Sequence, residues 1–201
     1  YLILGSLRSL FFFAPGLFDR LLIFLPLLIG YWGSSRIGRP YGSPRIRSIA
    51  GALYVLNPIV FYMMSAGRWD SLVIWASLPF LLTSLLKLLE MEPYAGRSGV
   101  EDNFYAQRTL PVRLLRFGFL VAVVAVFAPS VVVVASIMCL AIAVTCVNKL
   151  SAFKSAIAAS VAALVIPAVL LFPWSFDVIN NFSWTWLVGS KSPETSAMTA
   201  A

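Results

Sequence analysis

The chain has 201 residues, 60% of them hydrophobic and 11% charged, with a mean hydropathy of +0.90. A soluble domain carries roughly a quarter charged residues, so these proportions exclude a water-facing globule and indicate a polytopic membrane protein. The net charge of +7 fits Lys and Arg gathered at one membrane face better than nucleic-acid binding, because aromatic and basic residues are not interleaved in a polar patch.

After Tyr1 there is no succession of basic region, apolar region and small-residue cleavage site, so no signal peptide is expected, and the missing initiator Met suggests a piece of a longer polypeptide. Residues 1–16 combine Arg8 with Leu10-Phe11-Phe12-Phe13 and close on Ala14-Pro15-Gly16. They are too short for about 30 Å of hydrocarbon and predict an interfacial or re-entrant segment. A first span follows at about 17–33, between Asp19-Arg20 and the belt residues Tyr31-Trp32, with Pro26 leaving the Leu22 carbonyl without its helical donor. The linker from Ser34 to Arg47 holds four Arg, no acid, and the breakers Pro40, Gly42 and Pro44.

Spans two and three are expected at 48–64 and 71–89, joined by the polar hinge Ser65-Ala66-Gly67-Arg68-Trp69-Asp70. A polar loop from Glu90 to Arg113, with Gly96, Gly99 and Pro111 as breakers, precedes an apolar run to Val147, about twice the length one helix needs, with Ala128-Pro129-Ser130 near its centre. That run predicts a helical hairpin with arms at 114–128 and 131–148. The sixth span, 155–173, is rich in Ala and Ser, which suits close helix packing. The fold class is therefore all-α: a transmembrane helical domain over residues 1–175 with about six spans. Residues 176–201 form an outward-facing tail leading into a further domain.

Orientation follows from the basic residues. With the hinge outside, eleven of the fifteen Lys and Arg fall on inner loops and their helix ends, and only Arg8, Arg20, Arg68 and Lys191 fall outside, while the acids divide equally. The hinge and tail then face out from a plasma membrane and the Arg-rich loops face the cytoplasm.

The chain contains no His, which removes His-based triads, His proton relays and imidazole metal sites. Cys139 and Cys146 lie seven residues apart, about 10 Å along one helix, too far for a disulfide, and read as packing thiols. No Gly-rich phosphate loop is present. The hinge remains. Asn57-Pro58 breaks the second span, since Pro58 cannot donate to the Tyr54 carbonyl and disfavours the α region at Asn57. Pro79 likewise frees the Trp75 carbonyl. Irregular backbone at membrane depth is tolerated where it is buried or lines a wet cavity, so these two spans could wall an outward cleft floored by Tyr54, Asn57, Tyr62, Arg68, Trp69, Asp70 and Trp75. Arg suits a lipid-linked phosphate, aromatic faces suit sugar rings, and a carboxylate suits a sugar hydroxyl. The competing account is that the aromatics form a belt and that Arg68 pairs with Asp70 or with headgroups.

The stretches Ala52-Leu53-Tyr54-Val55-Leu56-Asn57-Pro58, Gly67-Arg68-Trp69 and Leu78-Pro79 resemble a pattern in the multi-pass C-type glycosyltransferases of actinobacteria, in particular the arabinofuranosyltransferase-like enzymes of cell-wall assembly. Phe172-Pro173-Trp174-Ser175 is similar to the end of that family's membrane region. The resemblance covers residues 17–90 by motif and the rest by topology. It implies transfer of a sugar from a polyprenyl-phosphate donor to a glycan acceptor at the outer leaflet, within membrane lipid. No cofactor is expected, with a divalent metal left open. On this resemblance Arg68, Trp69, Tyr62, Asn57 and Trp75 are candidate donor-binding residues. Such enzymes usually carry their catalytic carboxylate in the first outward loop after the first membrane helix, which on this resemblance is expected upstream of Tyr1 or as the segment from Arg8 to Arg20 alone. Asp19 is then a candidate late in that loop, without a paired acidic motif, and Asp70 of the hinge is a second candidate, as an accessory carboxylate. Half of a transporter or flippase, or a non-catalytic scaffold subunit, are the alternatives.

Overall fold

The computed structural model describes residues 15–91, 94, 109–147 and 149–172, with side chains described from residue 23 onward. The expected N-terminal interfacial segment, apart from its last two residues, and the C-terminal tail lie outside them, as do the end of the sixth span and Phe172-Pro173-Trp174-Ser175 beyond its first residue. The described elements are all helical: α1 (Pro15–Ile37), a 3-10 turn (Arg39–Tyr41), α2 (Pro44–Val55), α3 (Pro58–Ser65), α4 (Trp69–Leu88), α5 (Leu110–Ala125), α6 (Val131–Thr145) and α7 (Leu150–Leu170).

Three stretches among the described residues are long and apolar enough to cross a membrane: Pro44–Ser65, which contains the α2–α3 break, Trp69–Leu88 and Leu150–Leu170. Helices α5 and α6 have 16 and 15 residues and rise about 24 and 22 Å, short of the about 30 Å hydrocarbon core. Outward faces agree with a lipid surround. Leu53, Val144 and Val169 are 67%, 72% and 68% exposed, an arrangement that water would penalise at every turn.

The breaks follow local chemistry. Asn57 is extended (φ −63°, ψ 131°) and its side chain accepts from the Ile59 N–H, so the residue ahead of Pro58 ends one helix and caps the next. Pro44 and Pro111, expected as loop residues, instead stand in the first turns of α2 and α5, where a missing N–H costs nothing. Helix α1 consequently extends to Ile37, beyond the expected end, and the polar linker contracts to residues 38–43. Helix α7 begins at Leu150, which takes Lys154 into the helix.

The chain divides into two compact units, residues 1–83 and 84–201. In the first, α2 runs antiparallel to α1, with Gly51 against the Tyr31 ring, whereas α4 runs parallel to α1, with Gly30 against Trp75 and Gly33 against Phe80. The glycines allow backbone to meet aromatic rings directly. A Cβ at Gly30 would sit 2.8 Å from the Trp75 ring and one at Gly33 2.5 Å from Phe80. In the second unit α7 packs on both α5 and α6. Its buried face is Ala156, Ala159, Ser160, Ala163 and Pro167, a helical spacing of small residues, and Gly118 of α5 fits against Ile166 and the Ala162 carbonyl. Between lipid-facing helices burial of apolar area brings little net gain, so close approach of this kind is what holds them together. Cys139 is fully buried in α6 and Cys146 nearly so, both as free thiols.

Candidate functional site

The antiparallel and parallel relations of the first unit put the α1–α2 turn (38–43), with Arg39 on it and Arg36, Arg45 and Arg47 on the helix ends beside it, and the hinge (65–70) at opposite ends of α2–α3. At the hinge, α3 ends in a glycine cap. Gly67 adopts φ 64°, its N–H donates to the Met64 carbonyl at 3.2 Å, and the Arg68 N–H reaches back to Met63 at 2.9 Å. This pair of bonds satisfies carbonyls that the helix end would otherwise leave open, and it requires a left-handed residue that glycine supplies at little steric cost. The position of Arg68 is therefore fixed by the cap behind it.

Arg68 is exposed and forms no ion pair with Asp70. Tyr62 is 64% exposed, while Trp69 and Asp70 are half-buried in the first turn of α4. A carboxylate at that position is favoured by the positive end of the helix dipole, by about 0.3–1 kcal/mol. Asp70 thus has a local role beside any chemical one. The Ser71 hydroxyl is 3.5 Å from its Oδ1.

Deeper in the bundle the aromatic residues meet one another. Trp75 is 7% exposed and sits with Val60, Leu72 and Ala76 in a core that Leu27, Tyr54, Val55 and Met63 cover. The Tyr54 ring stacks on it with centroids 4.0 Å apart and planes 15° apart, and the Tyr54 hydroxyl donates to the Trp75 carbonyl at 2.7 Å. That carbonyl is the one Pro79 deprives of its helical donor. Sequence reasoning found both the orphaned acceptor and the tyrosine but assigned them to a cleft. The signal for their union is that a buried carbonyl needs a donor and a tyrosine on a neighbouring helix has one.

The candidate residues therefore separate by depth. Tyr62, Arg68, Trp69 and Asp70 gather around the hinge, Asn57 serves as the cap of α3, and Tyr54 and Trp75 face each other in the core. Asp19 lies in the first turns of α1, where side chains are not described. A second polar feature was not singled out from the sequence: the ion pair of Arg113 with Glu90, which links the end of α4 to the start of α5 beside a groove of about 190 Å³ lined also by Leu110, Ser151 and Ser155. Its sequence signal is an acid and a base at opposite ends of one polar loop.

Compared with known proteins, the chain matches no family model, no curated protein and no solved structure.

Proposed function

We propose that this chain is the membrane module of a glycosyltransferase that takes a sugar such as arabinofuranose from a polyprenyl-phosphate donor and adds it to a cell-envelope glycan at the outer leaflet. In this reading about six spans cross the plasma membrane, the short helices α5 and α6 included. The hinge and the C-terminal tail face outward, and the Arg-rich loops face the cytoplasm. Arg68 meets the donor phosphate, Tyr62 and Trp69 meet the sugar or the prenyl chain, and Asp70 is an accessory carboxylate.

The observation that carries the reading is Arg68 itself. It is exposed, unpaired with Asp70, and held by the Gly67 cap between an exposed tyrosine and a half-buried tryptophan at the end of a membrane-length helix. A planar guanidinium in such a place offers a phosphate two parallel hydrogen bonds that an ammonium does not reproduce.

Arg68→Lys tests it. Charge-assisted bonds contribute about 1.5–3 kcal/mol, so the variant should lose roughly tenfold to a hundredfold in kcat/KM for transfer from a polyprenyl-phosphate sugar, measured in the complete enzyme at equal expression. Wild-type transfer by the Lys variant would leave Arg68 as a belt residue and remove the basis for the proposal.

A further inference from the structure

The turn from α1 to α2 and the helix ends beside it carry Arg36, Arg39, Arg45 and Arg47 without an intervening acid. Among the described residues none of the four has a carboxylate partner. Two of them, Arg36 and Arg47, are positioned by other contacts. The Arg36 guanidinium lies 4.0 Å over the Trp32 ring. Arg47 runs over Gly38, where a Cβ would sit 3.6 Å from its Cα and Cγ, and its Nη2 donates to the Arg39 carbonyl at 3.3 Å. The Nε atoms of Arg36 and Arg47 are shielded from solvent and donate to no protein acceptor.

Like charges so concentrated repel one another, and α2 adds to the imbalance by opening here with no acid in its first turn and no side-chain cap from Ser43. The chain gathers positive charge at this end of the unit and supplies nothing to neutralise it. Beside the arginines, Trp32, Tyr41 and Ile46 are 52%, 64% and 49% exposed, which sets apolar surface next to the charges, the combination that suits a membrane interface.

We propose that this turn binds the phosphate of an anionic phospholipid headgroup. The apolar rim favours a lipid over a soluble anion, because only a lipid supplies glycerol and acyl atoms for Trp32, Tyr41 and Ile46 to cover. The proposal needs the chain to lie in a membrane and is independent of the transferase reading and of which face is cytoplasmic.

The test is native mass spectrometry of the chain in detergent micelles, titrated with phosphatidylglycerol and separately with phosphatidylcholine. Phosphatidylglycerol should bind more tightly. Each basic residue near such a surface contributes about fivefold, so Arg36→Gln/Arg47→Gln should weaken phosphatidylglycerol binding roughly thirtyfold. Lys149→Gln/Lys154→Gln removes the same charge elsewhere and should change it less than twofold. The Arg45 side chain is exposed and forms no hydrogen bond or ion pair, so Arg45→Gln should fold normally and lose about fivefold; it decides the matter if the double arginine variant does not fold. Equal affinity for the two lipids, undiminished binding by Arg45→Gln, or an equal loss in the lysine variant would overturn the site. Displacement of phosphatidylglycerol by equimolar inorganic phosphate would identify a soluble anion and overturn the lipid assignment.

Discussion

Pro79 removes the donor that would close the helical turn at Trp75, and a side chain from another helix takes its place. In a bilayer a carbonyl without a donor has no water to turn to, so the Tyr54 hydroxyl joins α2 to α4 at the point where α4 is weakest. Interhelical bonds of this type average about 0.6 kcal/mol and reach about 1.7 kcal/mol, and the buried position of Trp75 places this one toward the upper end. Tyr54→Phe keeps the ring stack and deletes the bond, and should cost about that much in unfolding from mixed micelles. The background decides the interpretation. In Pro79→Ala, residue 79 regains an N–H that can donate to Trp75, so the same Tyr54→Phe change should then cost close to nothing. Equal costs in the two backgrounds would mean that the hydroxyl is not the carbonyl's donor.

Among the described residues, two helix ends use the same device. Gly67 closes α3, and Glu90, at φ 53°, closes α4 with the same bond pattern, its N–H on Lys87 and the Met91 N–H on Leu86. Nothing lies within 4 Å of a Cβ built on Gly67, so substitution there meets only the backbone preference. Gly67→Ala should lose about 1 kcal/mol, and Gly67→Asn less, because Asn visits the left-handed region more readily. At Glu90 the strain is already present and the ion pair with Arg113 works against it. Glu90→Gly relieves about 1 kcal/mol and gives up an exposed pair worth at most about as much, so its thermal midpoint should rise relative to wild type as salt screens the pair. A salt-independent difference between the two would separate Glu90 from Arg113.

For the whole molecule, the sequence was most legible where a single residue type dictates the backbone. Asn57-Pro58 and Ala128-Pro129-Ser130 mark real breaks, and each expected span contains a helix or a pair of helices. Ala156, Ala159, Ser160, Ala162 and Ala163 of the last helix are buried where it packs on its neighbours, while Ser151 and Ala168 are exposed. Legibility failed where a feature depended on what another helix brings. Proline read as a loop breaker lies in a first turn at Pro44 and Pro111, because the same missing N–H suits both places. Trp75 reads as part of a cleft floor from the break that Pro79 makes beside it and is a core residue because Tyr54 and Gly30 close upon it. Sidedness belongs to this scale too. The distribution of Lys and Arg implies that single cysteines placed at Ser65 and Ser192 react with an impermeant thiol reagent from outside intact cells and that one at Ser43 does not. The native Cys139 and Cys146 are buried and should contribute little background. Labelling at Ser43 would invert the orientation and place the hinge inside.

The extended residue at Asn57 also acts on rotational phase. Along an unbroken helix Tyr54 and Val60, six residues apart, would point about 120° away from each other, and Met63 would point about 180° from Tyr54. All three nevertheless pack on the cluster around Trp75. One non-helical step between Val55 and Pro58 resets the angular count, so a single membrane-length stretch can present two successive arcs of its circumference to the same neighbour and leave Leu53, Leu56 and Phe61 turned toward lipid.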